Sequence, residues 1–125
     1  MKKHILTIHL TYNATTAYLV HHNGQILSEK RQVLSIKTDA RLGHYYDPLE
    51  IIYSVRSAIN ELFQSTQFSI THVGSLSIVS QNYGLVLWEK SSGVIVKPVL
   101  LCTKERVAAL IKQLSFSQNL ALYKE

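Results

Sequence analysis

Apolar positions along this chain recur with two different periods, and the switches between them mark the elements. Residues 5–10 are apolar with Thr7 and His9 interleaved, which predicts a strand. Residues 15–20 predict a second strand. His22-Asn23-Gly24 follows, and Asn-Gly is a strong short-range hairpin signal. Residues 25–36 predict a third strand, with Ile26, Val33, Leu34 and Ile36 as its apolar members. The chain therefore opens with a three-stranded antiparallel meander.

The period then becomes helical. Asp47 suits an N-cap, Pro48 the first helical position, and Glu50 the closing residue of a capping box. Leu49, Ile52, Val55, Ile59, Leu62 and Phe63 continue the spacing to about Gln64. Residues 73–79 form a small, apolar run that predicts a strand covered on both faces. Residues 83–89 and 94–101 predict a hairpin around Ser91-Ser92-Gly93. Thr103 is a candidate N-cap for a second helix carrying Val107, Leu110, Ile111 and Leu114. Residues 119–123 are a candidate last strand. A meander, a helix and a central strand open the ribonuclease-H-like fold of the actin and hexokinase type. The expected architecture is a single α/β domain over residues 1–125. It has a mixed sheet of about five strands in the order 3-2-1-4-5, two helices on the sheet and an extra hairpin.

Composition adds limits. The 125 residues are 46% hydrophobic and 17% charged, a globular balance that excludes a disordered chain, a collagen repeat or a coiled coil. No apolar run approaches the ~18 residues of a membrane-spanning helix. The segment after Met1-Lys2-Lys3-His4 is a poor signal-peptide core, so a cytoplasmic protein is expected. The single Cys102 allows no internal disulfide and agrees with a reducing compartment. The net charge is +5, but the lysines and arginines are scattered and form no basic arm. Neither nucleic acid nor a membrane is expected as a partner.

Three ordered blocks resemble the N-terminal part of the FGGY carbohydrate kinases, the glycerol kinases above all. The first is Ile5-Leu6-Thr7-Ile8-His9-Leu10-Thr11-Tyr12-Asn13, with Gly24-Gln25-Ile26-Leu27 after it. The second is Gly43-His44-Tyr45-Tyr46-Asp47-Pro48-Leu49-Glu50-Ile51, similar to the family's entry to its first long helix. The third is Leu76-Ser77-Ile78-Val79-Ser80-Gln81, then Val86-Leu87-Trp88-Glu89 and Ser92-Gly93. The resemblance runs from Ile5 to about Arg106. It implies the fold already read and a kinase ancestry.

The departures carry as much as the matches. The family's phosphate-site strand ends Asp-x-Gly-Thr-Thr. A gapless alignment puts that Asp on His9, the Gly on Thr11 and the two threonines on Tyr12 and Asn13. A register shifted to use Ala14-Thr15-Thr16 puts Tyr12 at the Asp position and Ala14 at the Gly position. Either way the carboxylate that holds magnesium beside a transferring phosphate is missing. The Arg-Glu pair that binds polyol hydroxyls in glycerol kinases maps onto Asn82 and Tyr83. The Trp that lines the sugar pocket maps onto Leu101 or Cys102. The resemblance also implies that the adenine-binding lobe and the catalytic base of such kinases lie beyond this chain.

Other chemistry is weaker. A ribonuclease-H-type nuclease needs carboxylates on the first strand, the first helix and the fourth strand; the helix offers Glu50, already read as a capping residue, and Glu61, but the strands offer only His9 and then Ser80 and Gln81. The six histidines lack ligand spacing: His4 and His9 face opposite sides of a strand, His21 and His22 flank a turn, and His44 and His72 stand apart. No metal site is expected. Cys102 has no neighbouring base and is expected as a buried, inert thiol. Tyr12, Tyr45, Tyr46 and Tyr83 are candidate interface anchors or covers of a lost cleft.

The expected function is a non-catalytic, glycerol-kinase-like domain working through protein contacts, as a homodimer or with another protein. Tyr83, Leu85 and Trp88 are the candidate contacts. No cofactor and no small-molecule ligand is expected. One alternative is a surviving polyol- or nucleotide-binding remnant. Another is a subunit of an enzyme completed in trans.

Overall fold

The computed structural model describes residues 4–80 and 84–116. Eleven elements follow in order: β1 (His4–Leu10), β2 (Ala14–His21), β3 (Ile26–Val33), β4 (Lys37–Asp39), β5 (Gly43–Tyr46), α1 (Pro48–Gln64), a 3-10 turn (Ile70–His72), β6 (Val73–Ser80), β7 (Gly84–Trp88), β8 (Ile95–Leu101) and α2 (Lys104–Phe116). The main sheet has four strands in the order β3-β2-β1-β6, antiparallel except for the parallel β1–β6 pair. This is the expected order 3-2-1-4. The candidate fifth strand, 119–123, lies outside the described residues.

Local chemistry explains the meander and the first helix. Gly24 takes φ +91 at the β2–β3 turn, a left-handed conformation that glycine adopts at little cost. The N–H of Gly24 donates to His21 O at 2.9 Å, and Asn23 Oδ1 accepts the Gln25 N–H at 3.0 Å. Asp47 caps α1 by accepting the Leu49 N–H at 2.9 Å, with Pro48 behind it. Glu50 closes no capping box, contrary to expectation. Its carboxylate turns outward to accept the Ser35 N–H at 2.9 Å and lies 3.8 Å from Lys37 Nζ.

α1 lies over β2 and β3. Leu6 and Ile8 of β1, Ala17 and Leu19 of β2, and Ala58 and Leu62 of α1 form the main core. Thr15 and Ser54 share a buried 2.7 Å hydrogen bond beneath the helix, which removes the cost of burying either hydroxyl alone.

Three expectations need correction. The third strand stops at Val33 rather than Ile36. There the Leu34 N–H donates to Asn13 O at 2.8 Å, and the chain leaves the sheet. Leu34 and Ile36 then build a second core with Tyr46, Leu101, Ile51 and Val99. That core holds a second sheet, β4-β5-β8-β7, which joins the expected hairpin to two short strands the sequence reading did not find. Among the described residues β6 is not covered on both faces: it is the last strand of the main sheet there, and Leu76 and Ile78 are 60% and 66% exposed. α2 does not lie on the main sheet with its apolar face buried. Val107, Leu110, Ile111 and Leu114 remain exposed, and the helix is tethered by Arg106, whose guanidinium donates to Leu42 O. Gly43, at φ +67, leaves room for that guanidinium; a Cβ there would stand 2.9 Å from Arg106 Nη2. No helix among the described residues is long and apolar enough to cross a membrane.

Candidate functional site

The turn between β1 and β2 is where the resemblance places phosphate chemistry. It holds Thr11, Tyr12 and Asn13. The N–H and Oγ1 of Thr11 both donate to Ala14 O, at 2.9 and 3.1 Å. Asn13 ties the turn to β3, through its O to Leu34 and through its Oδ1, which accepts from Arg31 Nη2 at 3.4 Å. No residue of this turn takes a positive φ. It is built from ordinary backbone, without the left-handed conformation that a glycine turn allows.

Tyr12 is half exposed and lies edge-on to Tyr46, with ring centroids 6.5 Å apart. Tyr46 is 1% exposed and forms part of the second core. Burial, and then the nearby Tyr12, pushes the Tyr46 phenol up to about 12. Its hydroxyl is buried without a hydrogen-bond partner among the described residues. The phenol therefore stays protonated at any physiological pH.

His9 lies near the end of β1 on the face away from α1. The register puts it in one row with Thr16 of β2 and Val79 of β6, and Thr16 in turn faces Arg31 of β3. Its Nε2 is buried and finds no hydrogen-bond partner among the described residues. Arg31 completes this row; the sequence reading passed over it because only the β2–β3 register brings it to Thr16 and Asn13. The row contains an imidazole, a hydroxyl and a guanidinium, and no carboxylate. Magnesium needs hard oxygen donors, usually a carboxylate, and a buried imidazole nitrogen is the wrong donor for it. The residues around the turn do not fit a magnesium–nucleotide phosphate, and no phosphoryl-transfer step can be derived through them.

The second candidate site is less complete. Asn82 and Tyr83, at the polyol positions, lie outside the described residues, as does Gln81. Of the two positions matched to the sugar-pocket Trp, Leu101 is buried in the second core, while Cys102 is exposed rather than buried. Leu85 and Trp88 sit on the outer strand of the second sheet and are largely exposed; Trp88 is 60% exposed. Val86, Leu87, Trp88 and Lys90 line a shallow depression of about 300 Å³ there.

The histidines are distributed differently from their spacing in sequence. His4 and His9 face opposite sides, as read, but His72 does not stand apart. Its ring is 6.4 Å from His4, which contacts Phe68 at 4.5 Å and His21 at 5.6 Å. His21 Nε2 and His22 Nδ1 are 3.1 Å apart. Among the described residues, no group of three or more His, Cys, Asp or Glu is arranged to hold a metal ion.

Comparison with known proteins places this geometry. Residues 5–124 match the model of the FGGY family of carbohydrate kinases, N-terminal domain. A glycerol kinase of Herminiimonas arsenicoxydans is 25% identical over 125 residues, covering 100% of this chain and 25% of that protein. One of Xylella fastidiosa (strain M23) is 26% identical over 92 residues, 74% of this chain and 18% of that protein. Among solved structures, the gluconate kinase of Lactobacillus acidophilus superposes with a TM-score of 0.75 at 17% identity, over 89% of this chain and 22% of its own. Plasmodium falciparum glycerol kinase with ADP gives 0.70 at 15%, over 93% and 24%. At these identities the superpositions bear on the fold alone. The chain spans a quarter or less of these relatives.

Proposed function

This chain belongs to the FGGY family of carbohydrate kinases, and from that premise we propose that it is a non-catalytic, glycerol-kinase-like domain that acts through protein contacts. One observation carries the reading. Where the family's phosphate-site Asp aligns, the chain has His9, with its Nε2 buried and unpaired among the described residues. Beside it, the turn carries Tyr12 and no glycine. The surface supports the protein-contact half of the proposal. Leu85, Trp88, Leu76 and Ile78 are large apolar side chains in the open, and such patches mark interaction sites.

Phosphotransfer tests the proposal. The purified chain, with ATP, magnesium and glycerol or a panel of sugars, is expected to form no phosphorylated product above a protein-free control. His9→Asp alone is expected to leave that result unchanged. ATP-dependent product from the unaltered chain would overturn the non-catalytic reading.

A second reading is a subunit of an enzyme completed in trans, to which this stretch would supply the part that matches a quarter or less of each relative. Under that reading, phosphotransfer appears only when a partner chain is added.

A further inference from the structure

His21 and His22 are consecutive, and consecutive side chains of an extended strand point to opposite sides. Here they meet instead: His21 Nε2 and His22 Nδ1 stand 3.1 Å apart. The turn accounts for this. His21 ends β2, its N–H donates to Gln25 O at 2.8 Å, and its O accepts the Gly24 N–H at 2.9 Å. Gly24, at φ +91, closes the reversal, and His22 has already left the strand alternation. The His21 ring is also backed by packing. It meets the His4 ring edge-on at 5.6 Å, and His4, itself buried, lies on Phe68 at 4.5 Å. His21 is half-buried and His22 exposed, so one ring is held and the other is open to solvent.

Two facing imidazole nitrogens can share a proton, one donating and the other accepting. A metal ion is the other species that bridges them. With metal–nitrogen bonds of about 2.0–2.1 Å, two ligands at a right angle are about 2.9 Å apart, and two at the tetrahedral angle about 3.3 Å. The observed 3.1 Å lies between these values. Ring rotation, with no movement of the backbone, would turn both lone pairs onto one ion.

We propose that His21 and His22 form a two-point site for a divalent d-block cation, copper(II) foremost. Neutral imidazoles suit copper, nickel and zinc rather than magnesium or calcium, and copper binds such nitrogens most tightly. Among the described residues, no third His, Cys, Asp or Glu joins the pair. Water would complete the coordination, which suits copper(II) better than a structural zinc ion with its four protein ligands. His21 Nδ1 accepts the Asn23 N–H at 3.5 Å, which puts the ring proton on Nε2. On binding, Nε2 gives that proton to solvent and Nδ1 takes one up. Only the long Asn23 contact is lost, and no net proton is released. The site lies at the opposite end of β2 (Ala14–His21) from the β1–β2 turn, about 23 Å along the strand. It is therefore independent of the non-catalytic reading.

Copper(II) chloride titrated into the full chain tests the proposal, in a Cys102→Ser background that removes the exposed thiol. In nitrogen-15 spectra of histidine-labelled protein, substoichiometric copper should broaden the His21 and His22 resonances before those of His9 and His44. Calorimetry should show one saturable site per chain, and magnesium should give no response. His21→Gln and His22→Gln should each weaken copper binding about tenfold or more, while His44→Gln leaves it unchanged. His22→Gln alters an exposed turn side chain, and an unchanged amide spectrum elsewhere shows that the variant is folded. Copper bound by His22→Gln as tightly as by the parent overturns the proposal. So does broadening that reaches His44 as early as His22, or the lack of any saturable site. None of these results bears on phosphotransfer, so the non-catalytic reading stands or falls separately.

Discussion

The two halves of the main sheet differ in how far their burial is finished. Under α1, β1 and β2 are closed: Leu6, Ile8, Ala17, Leu19, Ala58 and Leu62 form a dry cluster, and even Thr15 finds a partner in Ser54. At β6, only one strand away, side chains of the same kind on the same face stand open. Leu6 and Leu76 are register partners, yet one is core and the other surface. The difference is not in the strands but in what lies above them. α1 is long enough to cover two strands and part of a third, and nothing among the described residues covers the fourth. Residue type alone therefore does not determine burial here; position relative to α1 does.

The largest effects should separate these halves. Leu62→Ala removes a fully buried side chain and should cost about 2–5 kcal/mol, read as a lowered denaturant midpoint. Leu76→Ala should cost less than about 0.5 kcal/mol, because its side chain is largely exposed. A comparable loss at both positions would show that β6 is covered.

Next comes the start of α1. Asp47→Ala should cost about 1 kcal/mol through loss of the cap to the Leu49 N–H. An unmoved melting midpoint would place the helix start elsewhere.

Tyr46 gives a smaller effect with a characteristic pH dependence. Its hydroxyl is buried without a partner among the described residues, so Tyr46→Phe should be neutral or slightly stabilising near pH 7. The phenol ordinarily ionises near pH 10 and is held up to about 12 by burial and by Tyr12. Between those values the folded chain keeps a proton that the unfolded chain has released. Stability is therefore full below pH 10 and falls as the pH climbs toward 12. Tyr46→Phe should remove that part of the alkaline loss. A variant whose stability falls over pH 10–12 as steeply as that of the parent would contradict this account.

The smallest effect is at Lys37, 3.8 Å from both Asp47 and Glu50 and largely in solvent. Lys37→Ala should shift stability by no more than about 0.5 kcal/mol, and salt should erase even that.

What the sequence disclosed follows from range. The meander and α1 were legible because their signals are local: Asn23-Gly24 sets one turn, and Asp47-Pro48 sets the helix start. The second sheet was not, because β4 and β5 are three and four residues long, β4 pairs with β5, and β5 joins the sheet through β8, some fifty residues away. The exposure of β6 was also hidden. A run such as Val-Gly-Ser-Leu-Ser-Ile-Val has the composition of a central strand, and only the placement of α1 exposes it. At the candidate site the residue types were legible from the alignment. Arg31 beside Asn13 and the Tyr12–Tyr46 contact were not, since both depend on cross-strand register and the second core.

The central claim, that the β1–β2 turn no longer binds a nucleotide phosphate, can be tested at His9 itself. Nitrogen-15 spectra of histidine-labelled protein, titrated with magnesium and ATP to millimolar levels, report on its imidazole directly. The account predicts that the His9 resonances, assigned by their loss in His9→Gln, do not move. A saturable shift at His9 that disappears when ATP is withheld would contradict it.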